Sequence, residues 1–213
     1  SYDYGSAGWL TKTTSPAGVV TSRTLNAAGE AVTETDGAGN TTSYGHDYAG
    51  RVVSTTNPDN TKSTARYDSL GNLLGTADFD ANGAKLRESS ATYDASSRLL
   101  TSTDARGAVS SYTYDSRGMV LTQTQQVDAA TSINTSFGYD PAGNRTRFTD
   151  GRGNTFVTTY NSWNLPSSQI EPATTAFPDL SDRTFTVRYD ANANIASTTA
   201  PGGKVRSSLS ALA

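Results

Sequence analysis

The residues best suited to chemistry are few. The chain holds one histidine, His46, with Asp47 beside it and serines nearby. These are the residue types of a nucleophilic hydrolase, where an imidazole oriented by a carboxylate takes the proton of a serine. Adjacent residues on a strand point to opposite faces, so this pair does not by itself assemble a triad. Asp78-Phe79-Asp80-Ala81-Asn82-Gly83 matches the first half of a calcium loop. A bidentate glutamate should follow at the twelfth place, but Ser89 stands there and Glu88 falls one place early. Carboxylates also recur at Asp47, Asp68, Asp94, Asp115, Asp140 and Asp190, which raises the paired acids of glycoside cleavage. Cysteine is absent, which removes disulfides and thiolate metal sites.

The elements that must carry these residues give each a plainer reading. The chain repeats one motif, clearest as Tyr112-Thr113-Tyr114-Asp115-Ser116-Arg117-Gly118. Its second tyrosine is an anchor, whose slot is filled by Tyr4, Leu25, His46, Tyr67, Tyr93, Tyr114, Tyr139, Tyr160 and Tyr189. The step between anchors is 21 residues, lengthened to 26, 25 and 29 at three places. A fixed period is the mark of a repeat architecture. His46 therefore occupies a slot that tyrosine fills elsewhere and reads as structural.

Each slot has a physical role. The place after the anchor holds Asp68, Asp115 or Asp140, with Asn26 and Asn161 as equivalents, and three residues later stand Gly71, Gly118 and Gly143. Aspartate opening and glycine closing a type I turn is a known preference, and a left-handed glycine closes such a hairpin with a bulge. Ser97 and Ala193 break the glycine pattern. A carboxylate that recurs once per unit is a turn former, not an acid-base pair. A second turn follows ten residues on, as in Asp36-Gly37-Ala38-Gly39 and Asp150-Gly151-Arg152-Gly153. Each unit is thus strand, turn, strand, turn.

Aromatic residues also sit two before the anchor, at Tyr2, Tyr44, Tyr112 and Phe137. Residues two apart share a strand face, so stacked units build a tyrosine ladder stabilised by cross-strand pairs. Such a ladder offers sugar-stacking surfaces, but its regular spacing favours a structural role. Trp9 and Trp163 lie outside it and mark no site. Three insertions, around residues 78–83, 127–130 and 171–180, fall at the second turn. They are expected to form long loops on one rim, opposite the Asp-x-x-Gly turns.

Composition limits the alternatives. Of 213 residues, 34% are hydrophobic and 17% charged, with a mean hydropathy of −0.52. That is lean for a compact core. The net charge is −3 and no basic stripe is present, which argues against nucleic acid. No run approaches the length of a membrane helix, so no membrane insertion is expected, and no signal peptide is visible. The chain starts without Met and in mid-motif, and reads as a fragment of a longer array. No linker divides residues 1–213, which are read as a single repeat array. About 18 short strands in one antiparallel sheet should twist and curl rather than stay flat.

The repeated Tyr-Asp-x-x-Gly, followed in place by Arg51-Val52, Asn72-Leu73 or Arg98-Leu99, resembles the YD repeats of the RHS family. That family includes bacterial RHS proteins, wall-associated proteins, the B and C components of toxin complexes, and, with similar repeats, the teneurins. The resemblance spans all nine units. It implies an all-β sheet, long and curved, spiralling into a hollow shell that in bacterial members encloses a C-terminal toxin domain. The implied partners are neighbouring YD repeats and an enclosed toxin cargo. The implied location is secreted or on the bacterial cell surface. The family's core-ending Asp-Pro-x-Gly-Leu segment is missing, since Asn144 follows Asp140-Pro141-Ala142-Gly143, so no self-cleaving aspartate is assigned. No catalytic residue, metal ligand or cofactor is expected. A surface adhesion or carbohydrate-binding array, with glycans as partners, is the alternative.

Overall fold

The structure, a computed structural model, describes residues Ser1–Ser207. The protein is all-β and antiparallel, with short 3-10 turns at Leu180–Arg183 and Pro201–Gly203 and no α-helix among the described residues. No helix there is long and apolar enough to cross a membrane. The chain forms two compact units, residues 1–108 and 109–213.

The first unit contains β1 (Tyr2–Tyr4), β2 (Leu10–Thr14), β3 (Val20–Leu25), β4 (Ala31–Thr35) and β5 (Thr41–His46). It continues through β6 (Val52–Thr56), β7 (Lys62–Tyr67), β8 (Leu73–Phe79), β9 (Lys85–Tyr93) and β10 (Leu99–Thr103). The second unit contains β11 (Val109–Tyr114), β12 (Val120–Gln126), β13 (Ser132–Tyr139), β14 (Arg145–Thr149) and β15 (Thr155–Tyr160). It ends with β16 (Pro166–Ile170), β17 (Thr184–Tyr189), β18 (Ile195–Thr199) and β19 (Val205–Ser207). Within each unit every strand pairs with its sequence neighbour, giving an antiparallel meander.

One local geometry generates the repeat. Each anchor pairs with the residue six places on, and the register shifts at that point: Tyr67 with Leu73, Tyr139 with Arg145, Tyr189 with Ile195. The shift is the bulge that closes the hairpin. In the turn after Tyr139, the Gly143 amide donates to the Asp140 carbonyl at 3.1 Å and Gly143 lies at φ 90°. Gly71 and Gly118 lie at φ 92° and 87°. Ser97, Asn164 and Ala193 take the same left-handed place at φ 60°, 60° and 65°.

The two faces differ in chemistry. Thr113 lies between Tyr112 and Tyr114 and therefore faces away from them; its hydroxyl meets that of Thr122 at 2.6 Å. Thr24 with Thr33 and Thr92 with Thr101 repeat the contact at 2.6 Å each. On the aromatic face of the second unit, Phe137, Phe148 and Phe156 pair across β13, β14 and β15 with ring centroids 5.6 and 6.0 Å apart. No hydrophobic side chain is buried among the described residues. Each unit is a single-layer sheet held by backbone ladders and side-chain rows.

Two insertions differ from the loops expected of them. The residues around 78–83 and 127–130 extend β8, β9, β12 and β13, which reach 7, 9, 7 and 8 residues, and end in tight turns. Only the third insertion is a loop. It is pinned at its base where the Glu171 amide donates to the Arg183 carbonyl at 2.9 Å and Arg183 Nη1 donates to the Glu171 carbonyl at 2.7 Å.

Candidate functional site

His46 ends β5 half-buried, opposite Val52. Asp47 begins the following turn. Its Oδ1 accepts the amides of Ala49 and Arg51, and its Oδ2 accepts Arg51 Nε at 2.7 Å. The carboxylate serves the turn, and the two residues do not assemble a triad. In the calcium-like segment, Asp78 is a strand residue that accepts Ser63 Oγ at 2.6 Å and pairs with Arg87. Asp80 instead accepts the amides of Asn82 and Ala84 at 2.9 and 2.8 Å. Sequence neighbours here serve different partners.

The recurrent aspartates form one constellation. Asp68 Oδ1 accepts the amides of Leu70 and Asn72 at 2.9 and 2.8 Å, and Oδ2 accepts Asn72 Nδ2 at 2.8 Å. Asp140 repeats this with Asn144, at 2.8 Å to the amide and 2.9 Å to the side chain. Asp115 accepts the amides of Arg117 and Met119, each at 2.9 Å. These bonds favour the ionised form. The Asn144 side chain, ahead of its amide, holds Asp140 below the ordinary carboxylate range, and the Met119 amide does most to lower Asp115. The second-rim turns behave alike: Asp104 is lowered chiefly by the Ala108 amide.

Sequence reasoning noted the residue five past the anchor as part of the motif but missed its role. It reaches the aspartate of its own turn, as Arg51, Asn72, Arg98, Asn144 and Asn194 do. It also lies over the next turn. Arg51 Nη1 donates to the Asp68 carbonyl at 3.2 Å, Asn72 Nδ2 to Ser97 Oγ at 3.0 Å, and Asn144 Nδ2 to Asn164 Oδ1 at 3.0 Å. In the second repeat the pair is reversed, and Asn26 Nδ2 donates to Glu30 Oε2 at 2.6 Å. That exchange of donor and acceptor at a fixed spacing was the signal available in the sequence.

The tyrosines use their hydroxyls across units. Tyr93 donates to the Leu73 carbonyl at 3.2 Å, Tyr139 to Val120 at 3.0 Å, Tyr160 to Arg145 at 3.1 Å and Tyr189 to Pro166 at 2.9 Å. Every acceptor is the sixth residue past the preceding anchor. Tyr67 instead lies beneath Arg51, whose guanidinium carbon is 4.6 Å from the ring centre. Tyr114 ends β11 half-buried, and Tyr4 on β1 is 63% exposed. None of the seven is fully buried. Trp9 packs on Gly29 of the next turn, and Trp163 is exposed.

A groove of about 430 Å³ opens on the first unit, lined by residues of β2 to β5 and by Pro58. Arg23 and Glu34 line it, opposite one another in register. Tyr44, beside them, has its hydroxyl pKa raised by burial and then by its bond to Glu34.

A family model described as RHS Repeat matches residues 26–62 and 93–133. No curated protein matches the chain. Among solved structures, a crystal structure of TcdB2-TccC3-Cdc42 aligns over 93% of this chain and 14% of its own, at 15% identity and a TM-score of 0.45. A Tc holotoxin pore from Photorhabdus luminescens aligns over 92% and 13%, at 15% identity and 0.45. A porin-like protein from Bacteroides uniformis aligns over 78% and 85%, at 15% identity and 0.36. The chain thus spans about a seventh of the TcdB2-TccC3-Cdc42 chain it is first compared with.

Proposed function

We propose that this chain, which matches an RHS Repeat model over residues 26–62 and 93–133, is a non-enzymatic stretch of wall in a repeat-built shell, which encloses and shields a toxin or effector domain of a secreted or surface-attached bacterial protein. The observation that carries this reading is the absence of buried hydrophobic side chains among 207 described residues. A domain that works alone hides a core. A single-layer sheet with two dissimilar faces is suited to separating two environments. Its recurrent aspartates are engaged in turns, and His46 and Asp78 lie on strands, which leaves a structural task as the simplest one for them.

In this reading the partners are neighbouring repeats of the parent chain and the enclosed cargo. The test is limited proteolysis of the parent protein beside a version lacking this segment. Cargo should resist cleavage in the first and become accessible in the second. Equal exposure in both would overturn the enclosure reading.

A further inference from the structure

We infer that the row of phenyl rings on the second unit is the floor of a binding site for a small aromatic carboxylate. Three residues there depart from the repeat, and they converge. Six places past the anchor every other repeat carries an apolar residue, as at Leu10, Val52, Leu99 and Ile195, but the repeat of Tyr139 carries Arg145. Nine places past the anchor every other repeat carries a polar side chain, as at Thr13, Glu34, Gln123 and Gln169, but this one carries Phe148. Four places before the anchor stand Thr21, Thr42, Ser63, Ser89, Ser110 and Thr135, until Phe156 and then Phe185 take that slot. Register brings the departures together, since Phe148 pairs with Phe137 on one side and Phe156 on the other. The other repeats fold without a cation or a ring in these slots, so the fold does not demand them here.

The three rings make a continuous row, with centroids 5.6 and 6.0 Å apart. The Arg145 guanidinium carbon lies 5.9 Å from the centre of Phe137 and 5.6 Å from that of Phe148. Arg145 belongs to none of the salt bridges among the described residues. A full positive charge thus rests on ring faces with no carboxylate to answer it. Arg145, Phe148 and Phe156 line a cavity of about 270 Å³ together with Thr158 and Gln169. Those last two are opposite in register, and neither side chain hydrogen-bonds within the described residues. The adjacent Thr159, by contrast, meets the hydroxyls of Ser167 and Ser168.

Rings and unspent donors together select the ligand. A phenyl floor takes another ring in an offset or edge-to-face arrangement. A guanidinium is donor-only and matches a carboxylate with two parallel hydrogen bonds. An arene bearing a carboxylate answers both, and its remaining lone pairs can accept from the Thr158 hydroxyl or the Gln169 amide. A simple inorganic anion would satisfy Arg145 and leave the rings in water. A neutral arene would cover the rings and leave the charge unpaired. The cavity is smaller than the usual drug-sized pocket, which limits the ligand to one or two rings. The site is independent of enclosure, so the proteolysis experiment can fail without touching it.

The test uses the 213-residue chain with phenylacetate and indole-3-acetate as probes, read by saturation-transfer NMR and titration. At least one should bind, with a dissociation constant below about 5 mM. Phenylacetamide lacks the charge and acetate lacks the ring, and each should bind about tenfold more weakly or worse. Arg145→Leu, Phe148→Thr and Phe156→Thr each install a residue type that other repeats carry in that slot, so circular dichroism should be unchanged. Each should weaken binding of the acid by about tenfold or more, and Arg145→Leu should also abolish the preference for acid over amide. Arg188 lies between Val187 and Tyr189, on the opposite face, and Arg188→Ala should have no effect. The inference is overturned if neither acid binds, if phenylacetamide binds as tightly as phenylacetate, or if Arg145→Leu or Phe148→Thr binds the acids as the parent does.

Discussion

Glycine does two separate jobs in this repeat. At Gly143 it supplies the left-handed conformation that closes the hairpin, and that role was legible because an Asp-x-x-Gly spacing states a turn type. Ala193 holds the equivalent place at φ 65°, where a Cβ costs roughly 1–2 kcal/mol. Ala193→Gly should therefore stabilise the chain by about 1 kcal/mol, visible as a higher urea midpoint. Ser97→Gly should gain less, because Ser97 Oγ accepts the Asn72 side chain at 3.0 Å. A gain at Ser97 equal to that at Ala193 would show that this bond contributes nothing. Gly37 and Gly151 do the other job. A Cβ at Gly37 would overlap Val19 Cγ1, and one at Gly151 would overlap Ile133 Cγ2. Neither reason could be read locally, since each depends on a side chain 18 residues earlier that only strand register brings close. Gly151→Ala should destabilise by about 1–3 kcal/mol through overpacking, and Ile133→Ala should rescue it. Chemical denaturation of the two single variants and the double decides this.

At the scale of the element, the unit is a hairpin whose turn is built on a carboxylate. In Asp36, Asp68, Asp140 and Asp150 the asparagine side chain four residues on is the leading cause of the lowered pKa. A carboxylate with a depressed folded pKa stabilises the fold above its unfolded value and loses that contribution as pH falls through the folded value. The melting temperature should be level near neutrality and decline from about pH 4 downward. Replacing Asp140 and Asp150 by Asn should flatten that decline, and an unchanged acid limb would show that these turns are not its source. The reversed pair allows a sharper test. Asn26→Asp alone sets a carboxylate against Glu30 and should destabilise by a few tenths of a kcal/mol to about 1 kcal/mol. Adding Glu30→Asn recreates the Asp68–Asn72 arrangement and should restore stability in a double-mutant cycle. The insertions show where reading by element failed. Period counting located all three, but not what they became. Thr124-Gln125-Gln126 and Ser132-Ile133-Asn134 can pair, so the strands lengthened. Pro172 and Pro178 have no amide to donate, so the third insertion stayed a loop.

At the scale of the molecule, what matters is that no buried hydrophobic core exists among the described residues. In a compact domain, truncating a large central side chain opens a cavity and lowers the stability of the whole. Here six of the seven ladder tyrosines are half-buried and Tyr4 is exposed. The cost of removing one should be smaller than for a fully buried ring, and confined. Tyr139 touches the array through its hydroxyl on the Val120 carbonyl at 3.0 Å and through its place beside Arg145. A chain in which each unit meets only its neighbours is stabilised by nearest-neighbour terms, so damage should decay along it. Tyr139→Phe removes the cross-unit hydrogen bond, worth about 0.5–1.5 kcal/mol, and Tyr139→Ala removes the ring as well. Native-state hydrogen exchange should then show faster amide exchange in β12 to β15. Rates in β17 and β18, two repeats further along the same unit, should be unchanged. A uniform loss of protection from β11 to β18 would mean that the unit unfolds as one cooperative block, and the nearest-neighbour account would fail. The local outcome is the one a wall requires, because a sheet whose repeats answer only to their neighbours can change loop, turn or groove in one repeat without weakening the rest.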